Sequence, residues 1–207
     1  MVAPSLCPSS QNFSWVTGSR YQDTVATNQR STNFHLASRV NKNSVEQHFC
    51  IKDVDTNDNT RPSWPEGRYC VYKKGPICPY GLTEGWVFWD DKNEENKNAN
   101  EGILPNGTYN QDTKIYFCCQ TVGNVFQTIY LPIDKPFYLI ALKSFFSKNP
   151  VCQAVHGAVA AVEHISYGVE NTSNVGGIFP YGADIKPKLI INYCYYSGKC
   201  PRHCNSS

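Results

Sequence analysis

Five carboxylates fall within twelve residues of this chain, Asp90, Asp91, Glu94, Glu95 and Glu101, with Lys92 and Lys97 among them. The run directly follows Trp89. Oxygen-rich loops of this kind coordinate calcium, and they also accept hydrogen bonds from sugar hydroxyls and amides. No cofactor is expected; calcium at this loop is the one alternative the carboxylates leave open, and a glycan is the expected ligand. On that reading Asp90, Asp91 and Glu94 form the polar rim, and Trp89 and Tyr80 supply an aromatic surface for the apolar side of a sugar ring. The spacing of an EF-hand is absent, so the same residues also read as a loop kept soluble by its charge. In Trp86-Val87-Phe88-Trp89 alternate side chains point to opposite faces of a strand, so at least one tryptophan packs in the core.

Enzyme constellations are missing. Five histidines (His35, His48, His156, His164 and His203) are scattered, with no His-Glu-x-x-His. There is no Gly-x-Ser-x-Gly elbow and no glycine loop for phosphate, with Gly176-Gly177 read as a plain turn. A distant carboxylate pair of the glycosidase type stays open, but no catalytic residue is assigned and an enzyme is not expected. Net charge is +2 without a Lys/Arg run, which argues against nucleic acid. No stretch reaches the roughly 18 apolar residues of a membrane span, so no membrane insertion is expected.

Cysteine usage sets the compartment. The ten cysteines are Cys7, Cys50, Cys70, Cys78, Cys118, Cys119, Cys152, Cys194, Cys200 and Cys204. An even, dense set points to disulfides in an oxidising, extracellular setting. No Cys-x-x-Cys pair exists, and only Cys200 and Cys204 with His203 between them come near a zinc pattern, so no metal site is assigned. Cys118 and Cys119 lie on one strand and face opposite ways, so each takes a different partner. Cys70 with Cys78 is the short-loop pairing that spacing suggests. Sequons at Asn12, Asn106, Asn171 and Asn205 fit a secreted glycoprotein. Met1 to Ser10 lacks the basic start and apolar run of a signal peptide.

The elements that position these groups are strands. At 207 residues one all-β domain, a disulfide-stapled β-sandwich with a jelly roll as one such arrangement and little helix, is the simplest account. Residues 1–14 read as an N-terminal arm, 15–196 as the domain and 197–207 as a Cys-containing tail. The clearest strands are Tyr69–Lys73, Trp86–Trp89, Lys114–Gln120, Val125–Leu131, Phe137–Leu142 and Leu189–Tyr196, with shorter ones at Phe34–Leu36 and Phe49–Ile51. Trp15 and Trp64 have loop-like surroundings, 90–101 lacks periodicity, and 151–169 reads as strand because Gly157 and Gly168 interrupt a helix. Pro65-x-Gly67-x-Tyr69 is echoed by Pro105-x-Gly107-x-Tyr109, two similar turns into aromatic strands.

Four blocks resemble one family, the apextrin C-terminal (ApeC) domain. They are Tyr21–Thr24 with Phe34–Leu36 and Phe49-Cys50; Trp64–Cys70 through Cys78-Pro79 to Trp89-Asp90-Asp91; Leu104–Tyr109 to Phe117–Cys119; and Leu131-Pro132, Pro136–Leu139, Cys152–Gly157, Glu163 and Cys194–Tyr196. The resemblance implies a secreted invertebrate protein of antimicrobial defence that recognises bacterial cell-wall glycan, peptidoglycan or its muropeptides, with an extracellular-matrix or adhesive role as the alternative. It also implies an acidic motif beginning Asp-Asp-Glu. Asp90-Asp91 match it, and Lys92 stands where the next acid is expected.

Overall fold

The computed structural model describes residues 15–25, 27–52, 63–142, 149–170, 173–184 and 188–198. The arm 1–14, the tail beyond 198, the polar stretch 53–59, Cys7, Cys200, Cys204, Asn12, Asn171 and Asn205 lie outside them. The described residues form strands and no helix: β1 (Trp15–Asp23), β2 (Gln29–Arg30), β3 (Ser38–Asn41), β4 (Ser44–Lys52), β5 (Tyr69–Tyr72), β6 (Leu82–Trp89), β7 (Ala99–Gly102), β8 (Gly107–Tyr109), β9 (Thr113–Gln120), β10 (Phe137–Ala141), β11 (Ala158–Tyr167), β12 (Asn174–Gly177) and β13 (Leu189–Gly198). One antiparallel sheet has the order β3-β4-β1-β7. The other has nine strands, β12-β6-β9-β5-β10-β13-β11-β2, with β8 on β9.

Period-two alternation builds the layers. Along β9, Ile115, Phe117 and Cys119 face the smaller sheet and pack with its Val45 and Phe49, beside Val87, Trp89, Ile191 and Tyr193. Cys118 faces the other way. It joins a second cluster with Tyr69, Val71, Leu82, Leu139, Cys194 and Tyr196, covered by Ile129, Val155 and Cys152 from loops. Hence the order is sheet, sheet, loop layer. Each fully buried large side chain here contributes about 1.5–3 kcal/mol.

The disulfides follow the layers. Cys119 bonds Cys70, its direct neighbour across β5–β9, with Cα atoms 4.0 Å apart, on the inner face. Cys118 bonds Cys78 and Cys194 bonds Cys152 on the outer face. The adjacent cysteines thus take different partners, but a Cys70–Cys78 pair is not formed. The turn between β5 and β6 brings Cys78 over the outer face, while Cys70 points inward. Cys50 is disulfide-bonded as well.

Three strand expectations need correction. Phe34–Leu36 is irregular, and Leu36 is buried through tertiary packing, not ladder pairing. Val125–Leu131 is a loop that buries Val125 and Ile129, and its bonds go to the segment around Ala154 through one isolated bridge. Apolar content marked burial there and not a strand. Trp15 begins β1, the unpredicted end of 90–101 forms β7, and Gly176-Gly177 belongs to β12. Residues 158–167 are strand, as expected, while 151–157 are not.

The repeated motif has a mechanism. The Tyr69 hydroxyl donates to the Pro65 carbonyl at 2.7 Å, and the Tyr109 hydroxyl to the Pro105 carbonyl at 2.9 Å. Both are tyrosine corners, in which a strand's first aromatic ties back to the turn that feeds it. Tyr69→Phe and Tyr109→Phe are each expected to lower the unfolding free energy by about 1 kcal/mol, read by urea denaturation, with an unchanged circular dichroism spectrum.

Candidate functional site

The acidic run divides into a buried half and an exposed half. Asp91 is fully buried and Asp90 nearly so, whereas Glu94, Glu95 and Glu101 are exposed. Asp91 joins the two sheets. Its Oδ1 accepts from Gln22 Nε2 at 2.7 Å. Its Oδ2 accepts from Thr113 Oγ1 at 2.7 Å and Asn98 Nδ2 at 2.9 Å, with the Arg20 guanidinium 3.6 Å away. Arg20 and Gln22 come from β1, Thr113 from β9. The loop between β6 and β7 is stitched by asparagines. Asn96 and Asn98 donate to backbone carbonyls of Lys92, Asn110 and Gln111, and Asn100 to that of Tyr109. An asparagine-rich run therefore reads here as backbone hydrogen-bonding and not as solvated coil.

The predicted ligand rim does not assemble. Asp91's oxygens already accept three hydrogen bonds and face the Arg20 guanidinium. Trp89 is 2 % exposed and packs edge-on against Tyr167 in the inner core, so it is the core tryptophan and not a stacking surface. Tyr80 is 76 % exposed, but it precedes β6 while Asp90 follows it. An eight-residue strand separates them, a span of about 26 Å at 3.3 Å per residue. Among the described residues no cluster of three or more His, Cys, Asp or Glu is placed to hold a metal ion.

A different surface gathers aromatic and charged groups. On the outer face of β6 and β9, Trp86 lies opposite Tyr116 and Phe88 opposite Lys114. Lys114 Nζ sits 4.1 Å from the Trp86 ring centroid and 5.1 Å from that of Tyr116. Lys73, paired with Glu84, sits 5.7 Å from the Tyr116 ring centroid. Trp86 lies flat across β12 because residue 176 is glycine; a Cβ there would strike the indole. Beside Tyr116 an open cavity of about 650 Å³ is lined by Lys73, Lys74, Glu84, Asn106 and Thr108. That size suits a small ligand. The alternation of 84, 86 and 88 on one strand with 114 and 116 on the other is the sequence signal for this surface.

Asn106, the one sequon asparagine among the described residues, lines the same cavity. Its Oδ1 accepts from Gly75 N at 3.1 Å and its Nδ2 donates to Gly75 O at 2.8 Å. This ring of two bonds uses the N–H cis to Oδ1. A glycan on Nδ2 occupies that same position, as the following Cα does in a trans peptide. Glycosylation and the Asn106–Gly75 clamp exclude each other, so glycopeptide mass spectrometry of the protein expressed through a eukaryotic secretory pathway is expected to find Asn106 unoccupied.

The fold and its staples define a disulfide-stabilised, two-sheet β domain of the kind compatible with an extracellular setting. The family model for ApeC, the C-terminal domain of apextrin, matches residues 2–196, and the chain belongs to that family. No curated protein and no solved structure matches it.

Asp91 carries a second expected outcome. Burial raises its carboxyl from 3.8 to about 6, against the pull of Thr113, Gln22, Asn98 and Arg20. The folded chain then keeps a proton that the unfolded chain loses near 3.8. The contribution of this titration to stability is therefore full below that pH and is lost as pH rises towards 6. Carbon-13 NMR should find the Asp91 carboxyl titrating near pH 6. At neutral pH Asp91→Asn turns an amide N–H₂ towards donors and leaves Arg20 buried without a counter-charge. It should lower the unfolding free energy by about 3–5 kcal/mol.

Proposed function

We propose that this chain is a secreted, non-catalytic recognition module of invertebrate defence that binds bacterial cell-wall glycan, peptidoglycan or its muropeptides, on the outer face of β6 and β9. One observation carries the reading: Trp86 and Tyr116 lie side by side, with Lys114 above them and a polar cavity alongside. A sugar ring has an apolar face that an aromatic covers, and its hydroxyls and acyl amides need the donors and acceptors that Lys73, Glu84 and Thr108 supply. Membership of the ApeC family supports a recognition role, and the disulfides support secretion. The face is open and polar, so a single site is expected to bind in the micromolar to millimolar range.

Pull-down on purified peptidoglycan tests this. Trp86→Ala, at a half-buried position remote from the Asp91 network, should keep the parent's circular dichroism spectrum and lose about tenfold in affinity, the worth of roughly 1.4 kcal/mol. A folded Trp86→Ala variant that binds as the parent does removes the site from this face. A parent that binds no peptidoglycan removes the recognition reading and leaves the matrix role.

A further inference from the structure

The edges of the two sheets differ. β3 has four residues with Arg39, β7 four with Glu101 and Gly102, and β12 four ending in two glycines; β2 has two, including Arg30. Short, charged or glycine-ended edges resist pairing with another chain. The first half of β11 does not follow that rule. From Gly157 the sequence is Gly-Ala-Val-Ala-Ala-Val, without charge or proline. Val159 is 55 % and Val162 41 % exposed, and Ala160 and Ala161 are exposed too. One side of this stretch pairs with β13, from Ala158↔Gly198 onward. On the other side β2 reaches only Ile165 and Ser166.

The direction of the free groups follows from the neighbouring contact. Ser31 N–H donates to His164 O, and His164 N–H donates to Ser31 Oγ at 2.6 Å. His164 therefore presents both backbone groups to the outer edge. By the two-residue period Val162 and Ala160 do the same. Among the described residues nothing pairs with them.

We propose that this edge is a homodimer interface, at which β11 of two copies pair antiparallel about a two-fold axis through Ala161 and join the two larger sheets. In that register Ala160 of one copy faces Val162 of the other. Their N–H and C=O groups exchange two hydrogen bonds on each side of the axis, four in all. Ala158 then faces His164, whose outer edge Ser31 already holds, so pairing ends where β2 begins. The free edge and the self-pairing have the same length. No charged residue lies in 157–162, so no like charges meet across the axis. Strand addition from this chain's own remaining residues fits less well. Each stretch longer than two residues outside the described set contains a proline or two lysines, which oppose strand pairing.

Sedimentation equilibrium on the full chain, across micromolar to millimolar concentrations, tests the interface. The parent should dimerise reversibly. Ala160→Pro removes one outward N–H and leaves the β13 ladder untouched; Val162→Lys places a charge on the edge. Each should weaken dimerisation at least tenfold while circular dichroism stays unchanged. Should Ala160→Pro misfold, Val162→Lys decides alone. Ala161→Cys should form a covalent dimer on air oxidation, because the two Cα atoms face each other across about 4.5 Å. A parent that stays monomeric throughout overturns the proposal. So does a dimer that the folded edge variants leave intact, which would place the contact elsewhere.

Discussion

Much of this molecule depends on one buried ion pair. Arg20 and Asp91 are 2 % and 0 % exposed, and they join a strand of the smaller sheet to the end of β6 in the larger. Burial lowers the affinity of the Arg20 guanidinium for its proton and raises that of the Asp91 carboxyl. Only a nearly complete set of hydrogen bonds makes such a pair tolerable. That set is what Gln22, Thr113 and Asn98 supply, and Arg20 donates in turn to Thr113 at 2.7 Å. A second polar tie runs in parallel. Gln47 of β4 donates to the Tyr193 hydroxyl at 3.0 Å and accepts from Tyr167 at 3.0 Å, with Tyr72 and Tyr193 sharing a bond at 2.9 Å. Apolar packing between sheets tolerates sliding, whereas these directional bonds permit one alignment.

The outer face of the larger sheet has two regions. Around Cys118, Cys194 and Tyr196 it is roofed by loops, two of them held by disulfides. Along Trp86, Tyr116 and Lys114 it is open. A half-buried tryptophan, tyrosine and lysine together on an antiparallel sheet is what remains where the roof stops. The same loop turn that brings Cys78 to Cys118 also carries Lys73 and Gly75 to the cavity edge, so the staple and the cavity share one scaffold.

β6 was legible from the alternation of buried and exposed residues along its end, and β5, β9, β10 and β13 from runs rich in Val, Ile, Tyr and Phe that suit a sheet covered on both faces. Val125–Leu131 misled because a loop that roofs a sheet needs the same Val and Ile as a strand. The acidic run misled in a different way. Residue types show that Asp91 can accept hydrogen bonds but not from whom, and its donors lie 69 residues upstream at Gln22 and 22 downstream at Thr113. The split of Trp86 outward and Trp89 inward follows from alternation, but which one is core depends on where the smaller sheet sits. Pairing of Cys70 with Cys119 and not Cys78 needed knowledge of which strands are neighbours.

Adjacent cysteines on β9 carry a consequence for how the chain reaches this state. The larger sheet interleaves segments from residue 29 to residue 198, a topology of distant partners that assembles slowly. A strand that slips by one residue turns its whole apolar set to the wrong side. For β9 the slipped state would set Cys118 opposite Cys70 and send Cys119 towards Cys78, a pairing that is chemically equivalent but inverted. Oxidation in that register would lock the inner and outer faces of the sandwich in exchange. Release then requires thiol–disulfide exchange through an attacking thiolate. The pair that secures the finished register is thus also the point at which premature oxidation can trap its mirror, and productive maturation requires β9 to settle before its sulfurs react.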